Sequence, residues 1–459
     1  MSEPVSTPLL DALQRHIARQ AASFHTPGHK GHLDCGDLAA LDLTELPDTG
    51  SLYDGGDAIE ASERLCAEAC GAGASFYSAG GCTLCIQTML LLACGGSGGR
   101  ILMARNAHRS AVHAATLLGL DPVWLWPQVE DGAGCQVTVE NLDEKLKTNA
   151  DIRAVYITSP DYAGHLADVA GMAALCHGRG IPLLVDNAHG SHLGAFGLHP
   201  LALGADMTAD SWHKTLPVLT GGAVLHLSKA WIGTTDGAML RRRVKAAMAL
   251  FGSTSPSFPV LASLDRAQAW WRETGPEGYR GVAGRVESLR RTARTAGFQA
   301  PGGKRYDPAR LTLVTTPLGF SGVRGAEAFR RCGCEAEHAD ARMIVFILTP
   351  FNTDEELRRL HDAIQKVPSM SPREEYPEGF DPFGYGVPTK RMPLRQAALM
   401  LSEEIPAGES AGRIAARSIC PCPPGIAAVV PGEEIGPALA ARLPGWGIPT
   451  VTVIREKQG

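Results

Sequence analysis

The chain has 459 residues, 44% of them hydrophobic and 20% charged, with a formal net charge of -5. That length exceeds one simple core and calls for two or three domains, while the ordinary composition excludes a disordered or fibrous chain. A negative balance without long Lys/Arg runs excludes an electrostatic footprint for nucleic acid or a membrane surface.

Met1 to Gln20 reads as an amphipathic helix. Asp11, Arg15 and Arg19 interrupt it, so it lacks the apolar core of a signal peptide. Gly80-Gly81-Cys82-Thr83 then precedes a helical stretch containing Ile86, Met89 and Leu90. Leu84 to Cys94 is the nearest thing to a membrane span and is too short, so the expected location is the cytoplasm. Strands are expected at Ile101–Ala104, Pro122–Trp126, Ile152–Thr158, Ile181–Val185, Ala205–Ala209 and Ala223–Leu227, with helices at Ser110–Leu118 and Met172–His177. Arg241-Arg242-Arg243, the densest basic cluster, reads as a solvated helix face or subunit contact. Thr254-Ser255-Pro256-Ser257 is a turn-rich break before helices at Ala262–Thr274 and Arg285–Ala296. Leu311–Thr315 and Met343–Thr349 suit strands of a smaller α/β unit. Pro368 to Pro388 has the composition of a linker, and a last unit carries a helix at Ala397–Leu401 and strands near Ile426–Val430 and Thr450–Ile454.

Short β-branched runs separated by helices indicate an α/β protein with a mainly parallel sheet covered on both faces. Such sheets bind ligands at the carboxyl ends of their strands. His108, Asp161, Asp186 and Lys214 all follow strand candidates, so one cleft can collect them. The twelve cysteines do not form a secreted disulfide framework in so long a chain. Cys82 and Cys85 have a CxxC spacing, but Cys332/Cys334 and Cys420/Cys422 are spaced wrongly for a zinc partner pair, and no metal is expected.

Ser211-Trp212-His213-Lys214-Thr215 carries the most chemistry. A lone lysine after a strand is usually a surface residue. With Asp186 ending an upstream strand, Lys214 suits a Schiff base to pyridoxal phosphate, and Asp186 suits the partner of the protonated pyridine nitrogen. Ser211, His213 and Thr215 offer hydrogen bonds to a phosphate. The plain alternative for Asp186 is a helix cap or strand-end carboxylate. Ala188 is small enough for a ring to lie against, and His189 and His192 suit pocket walls. Gly81, Cys82 and Thr83 open a helix whose N–H groups favour a phosphate dianion, although ordinary tight turns look the same. His108 suits a ring-stacking imidazole or, equally, a helix cap.

Four stretches taken together resemble the ornithine/lysine/arginine decarboxylases: His25-Thr26-Pro27-Gly28-His29-Lys30-Gly31, Arg105-Asn106-Ala107-His108-Arg109-Ser110, Asp186-Asn187-Ala188-His189-Gly190 and Ser211 to Thr215. Thr254 to Phe258, Leu261 to Asp265, Pro423-Pro424-Gly425 and Pro431-Gly432-Glu433 extend the likeness over nearly the whole chain. The resemblance implies the aspartate-aminotransferase fold of pyridoxal-phosphate enzymes, with a seven-stranded sheet. It also implies the short form of the family, divided into an arm (1–65), a large cofactor domain (66–260), a small α/β domain (261–367) and a linker with a C-terminal domain (368–459). Lys214 then holds the cofactor, Asp186 pairs with the pyridine nitrogen and His108 stacks on the ring. Ser211, His213 and the Gly81-Cys82-Thr83 turn bind the phosphate, and Ala188 and His189 line the ring. Thr254 reaches the cofactor of a neighbouring subunit, so a homodimer with shared sites is the minimum assembly.

The implied reaction is decarboxylation of arginine, lysine or ornithine, a step of polyamine synthesis. Lys214, His108 and His213 are its candidate catalytic groups, and Glu433 is the candidate acid for the distal cation. Three residues depart from the family pattern: Asn187 stands where glutamate is common, Cys82 where a hydroxyl usually meets the phosphate, and Cys422 replaces an aromatic residue. Tyr53-Asp54-Gly55-Gly56-Asp57 also lacks an expected histidine. Lys214, Asp186 and His108 serve transamination or elimination equally well, since bond choice depends on substrate orientation. A non-catalytic paralogue is a third reading, against which the intact Lys214 and Asp186 weigh.

Overall fold

The computed structural model of the chain describes residues 5–19, 38–130, 134–233, 235–371, 385–420 and 427–455. The His25–Gly31 and Pro423–Gly425 motifs, Cys422 and the 372–384 part of the expected linker lie outside these residues. The backbone divides into two compact units, residues 1–93 with 169–281, and residues 94–168 with 282–459.

The strands, in chain order, begin with β1 (Ala74–Ser78), β2 (Gly99–Ala104), β3 (Leu120–Leu125), β4 (Gln128–Glu130), β5 (Gly134–Gln136), β6 (Ile152–Thr158), β7 (Leu183–Asp186), β8 (Met207–Asp210) and β9 (Ala223–Leu227). All but the β4–β5 hairpin belong to a seven-stranded sheet of order β1-β9-β8-β7-β6-β2-β3. In the first unit β7 and β8 run parallel, with Asp186 opposite Ala209, while β9 pairs antiparallel with both β8 and β1. In the second unit β2 pairs parallel with β3 and β6. Every residue of β7, β8 and β9 is buried, as in strands covered on both faces, including the polar Thr208, Asp210 and His226.

The second unit adds β10 (Arg310–Val314), β11 (His338–Ala339) and β12 (Met343–Ile347), an antiparallel sheet with β12 in the middle. Helix Asp354–Met370 in this unit opens on a reciprocal cap between Thr353 and Glu356. Finally β13 (Ser402–Pro406) and β14 (Thr450–Ile454) pair over a small core that includes Ile435, Leu439, Leu443, Val451 and Val453.

Three expectations need correction. The helix expected from Arg285 begins ten residues earlier, at Gly275. Gly275, Pro276, Gly278, Gly281 and Gly284 hide it from a propensity reading, but proline is tolerated in a first turn. The buried stripe Tyr279, Val282, Val286, Leu289 and Ala293 carries the helix through the glycines. The strand expected near Ile426–Val430 is only a single bridge between Ile419 and Val429 among the described residues. Pro368, expected in a linker, sits within the last turn of helix Asp354–Met370. No described helix is long and apolar enough to cross a membrane.

Candidate active site

In the first unit, Leu183, Leu184 and Val185 have no exposure, and their burial sets Asp186 at the carboxyl end of β7. Asp186 is itself buried, and its Oδ1 accepts from the Ala188 N–H at 3.1 Å. The neighbouring strand β8 ends at Asp210. The buried Ser211 follows and leads into the single helical turn Trp212–Thr215. That turn projects Lys214, whose Nζ lies 2.8 Å from His189 Nε2. Two adjacent strand ends thus deliver the amine and an imidazole to one place.

The helix Gly81–Cys94 brings the third component. Gly81 has φ of +70°, a left-handed conformation that costs a side-chain-bearing residue strain even where space is open. Cys82 in its first turn is buried. Burial pushes its thiol well above the usual range, and the charge of Asp186 adds to this, while a hydrogen bond with Ser211 and the charge of Lys214 oppose it. Cys82, at this helix start, is therefore within reach of Asp186, Ser211 and Lys214. Thr83, next along, is exposed in the same turn.

His213 donates from Nδ1 to the Gly222 carbonyl at 3.0 Å, and burial lowers its pKa, so the ring is neutral with Nε2 as its acceptor. Ala188 is half-buried beside Asp186. His192, expected in the pocket wall, stacks on Tyr279 at 4.7 Å. Tyr279 in turn donates to the Thr215 carbonyl, so this pair packs beneath the lysine turn. Thr254 is exposed in the bend before helix Phe258–Glu273.

The remaining candidates belong to the second unit. His108 caps helix Arg109–Leu118, its Nδ1 accepting from the Ser110 N–H at 3.2 Å. Asp161 uses both oxygens on backbone, accepting from His165 N–H and Cys135 N–H at 2.8 Å each, so it shapes a turn and leaves the list of chemical candidates. Glu433 is buried with both oxygens on the Arg105 guanidinium, at 2.9 and 2.7 Å. Arg105 also lies over the rings of Trp124 and Trp126. The pair carries no net charge, so a substrate cation would have to share the Glu433 carboxylate with Arg105.

Sequence reasoning overlooked Arg105, although it sits in the His108 motif, and gave His189 no role beyond lining. It also missed the buried group around Asp210, for which the unusual Asn187 was the available signal. Arg242 and Arg243 are exposed on their helix, whereas Arg241 is half-buried and pairs, with Lys245, to the buried Glu63. An amine against a buried imidazole, a buried strand-end carboxylate and a helix start beside Ser211 together fit the aldehyde, ring nitrogen and phosphate of pyridoxal phosphate.

Residues 7–315 match the family model for the Orn/Lys/Arg decarboxylase major domain, and residues 389–443 the one for its C-terminal domain. The chain is 31% identical over 458 residues to YaaO, an uncharacterized protein of Bacillus subtilis, covering 94% of this chain and 92% of the relative. It is 30% identical over 458 residues to the arginine decarboxylase of Bacillus subtilis, covering 94% and 91%. The crystal structure of the Francisella novicida lysine decarboxylase LdcF superposes with a TM-score of 0.80 at 17% identity, over 98% of this chain and 81% of that one. A likeness at that identity shows the fold, that of the pyridoxal-phosphate-dependent transferases. Two family domains matched in order, with a relative of this identity over nearly the full length, place the chain in the Orn/Lys/Arg decarboxylase family, as an amino-acid decarboxylase.

Proposed function

We propose that the enzyme removes the α-carboxyl group of a basic amino acid, arginine first among the candidates, with pyridoxal phosphate held at Lys214. The observation that carries this reading is the Lys214 Nζ to His189 Nε2 contact of 2.8 Å beside buried Asp186. The likeness to an arginine decarboxylase supports the choice of substrate.

Asp186 supplies the anion that favours a proton on the pyridine nitrogen. Ser211 and the Gly81–Thr83 helix start would bind the phosphate, with Ala188 under the ring and Thr254 serving a neighbouring subunit. His108 would lie against the ring, a role that rests on the family resemblance. When bound, pyridoxal phosphate supplies an electron-accepting ring for the pair released as the Cα–carboxylate bond breaks. His189 holds a proton in exchange with Lys214 Nζ, and Lys214 then has a proton to return to Cα. His213, neutral and fixed by Gly222, serves as a second acceptor in the same turn. Cys82, Asp186 and Ser211 are buried and would limit water on that side of the half-buried Lys214. The described cysteines are all free thiols, which supports a reducing, cytoplasmic setting.

The test is a mass-spectrometric screen of the purified holoenzyme against arginine, lysine and ornithine. Loss of a carboxyl group from one of them, and no keto acid, is the expected result. Lys214→Ala should abolish both turnover and the borohydride-sensitive visible absorbance. Keto-acid formation without carbon dioxide would assign transamination, and a wild-type protein without the chromophore ends the proposal.

A further inference from the structure

Directly behind the site lies a fully buried polar group that the reaction scheme does not use. Asp210, the last residue of β8, has no exposure. Its Oδ2 accepts from Asn187 Nδ2 at 2.6 Å and lies 3.0 Å from His199 Nε2. The donor role of His199 follows from its other nitrogen. Nδ1 accepts from the Leu201 N–H at 3.3 Å, so Nε2 carries the proton and donates it to Asp210. Asn187 is tied a second time, its backbone N–H donating to the Ala209 carbonyl at 3.0 Å.

The sequence neighbours give this group its meaning. Asn187 directly follows Asp186, and Asp210 directly precedes Ser211 and the Lys214 turn. One carboxylate thus bridges the strand ends that carry the two cofactor residues. The atoms of His199, Asp210 and His226 also lie within 4.8 Å of one another, as a metal site would require. A metal on Oδ2 would have to displace two N–H donors already pointing at it, so the hydrogen-bonded arrangement is the better fit. The bridge also explains Asn187 at a position where the family resemblance leads one to expect glutamate. A carboxylate there would face the Asp210 carboxylate where both residues are fully buried, and the amide turns that repulsion into a bond.

We propose that Asp210, gripped by Asn187 and His199, is a positioning residue that fixes the spacing of Asp186 and Lys214 for the cofactor. The inference rests on the function proposed above. The experiment titrates cofactor-free protein with pyridoxal phosphate by visible absorbance and measures the melting temperature of the same cofactor-free samples. Asp210→Asn still offers one oxygen to both N–H donors but removes the charge that strengthens both bonds, and it should weaken cofactor binding on the order of tenfold. The exchanged pair Asn187→Asp with Asp210→Asn puts a charged acceptor back opposite an amide donor, and should recover affinity to within about threefold. A merely structural role would lower the melting temperature of these variants and leave their cofactor affinity unchanged.

Should Asp210→Asn not fold, His199→Gln, which keeps a donor, should bind like wild type, and His199→Leu should bind more weakly. Equal affinity in wild type and Asp210→Asn overturns the inference, as does an exchanged pair no tighter than Asp210→Asn. Equal affinity in the two His199 variants, or one tightly held metal ion per purified chain, does so too. A wild-type protein that forms no chromophore sinks the proposed function itself. A wild type and an Asp210→Asn variant that form it alike sink only the brace.

Discussion

A buried histidine shows what single residues contribute. His226 has no exposure, its Nδ1 lies 2.7 Å from Ser75 Oγ, and burial lowers its pKa to about 4. Between pH 6.5 and 4 the unfolded chain takes up this proton while the folded protein does not, so stability falls as pH drops through that window. Above pH 6.5 the contribution is level. The penalty reaches on the order of 3 kcal/mol at the acid end. Urea midpoints at pH 7.5, 5.5 and 4.5 should therefore fall more steeply for wild type than for His226→Gln. Parallel curves for the two proteins would show that His226 has no part in the acid sensitivity.

Helix Asp57–Cys70 and helix Gly237–Ala249, both in the first unit, are held together by charge. Glu63 has no exposure and accepts from Lys245 Nζ and Arg241 Nη1 at 2.6 Å each, and from the Tyr77 N–H at 2.8 Å. Lys245 is buried as well, and burial lowers its pKa against the pull of Glu63. Glu63→Gln would leave that ammonium without a counter-charge, a loss of about 3 to 5 kcal/mol. Glu63→Leu with Lys245→Met removes both charges and should recover most of it, read as the urea midpoint. A double variant as unstable as the single one would contradict this account. The pair was invisible in the sequence because its members lie far apart in the chain and neither belongs to a motif.

At the scale of the whole molecule, the proposed sharing of Thr254 between subunits has a direct test. Lys214→Ala and Thr254→Glu should each abolish activity as pure proteins. Unfolded and refolded together, half the dimers would be mixed, and one of their two sites would carry both wild-type residues. About a quarter of wild-type activity should then return. A mixture as inactive as its parents would place both residues in one subunit's site. The Arg105–Glu433 pair is likewise a fact of assembly within the second unit, joining the C-terminal family domain to the end of β2.

Strand positions and motif order were legible in the chain itself. Short runs rich in apolar and β-branched residues mark strands, and β6, β9 and β14 fall on the expected residues. Lys214 and Asp186, the candidates for holding the cofactor, stand out because each follows a strand candidate. What the tertiary structure decided was the partners of these groups. The sequence places His189 near Asp186 but cannot say that its Nε2 meets Lys214. It offers Glu433 as an acid but cannot show that Arg105 holds both oxygens. It marks Asn187 as unusual but cannot reveal the buried carboxylate that it binds. Periodicity reports which face of an element is buried. Charge pairing between distant residues depends on distance and dielectric, and those exist only once the chain has folded.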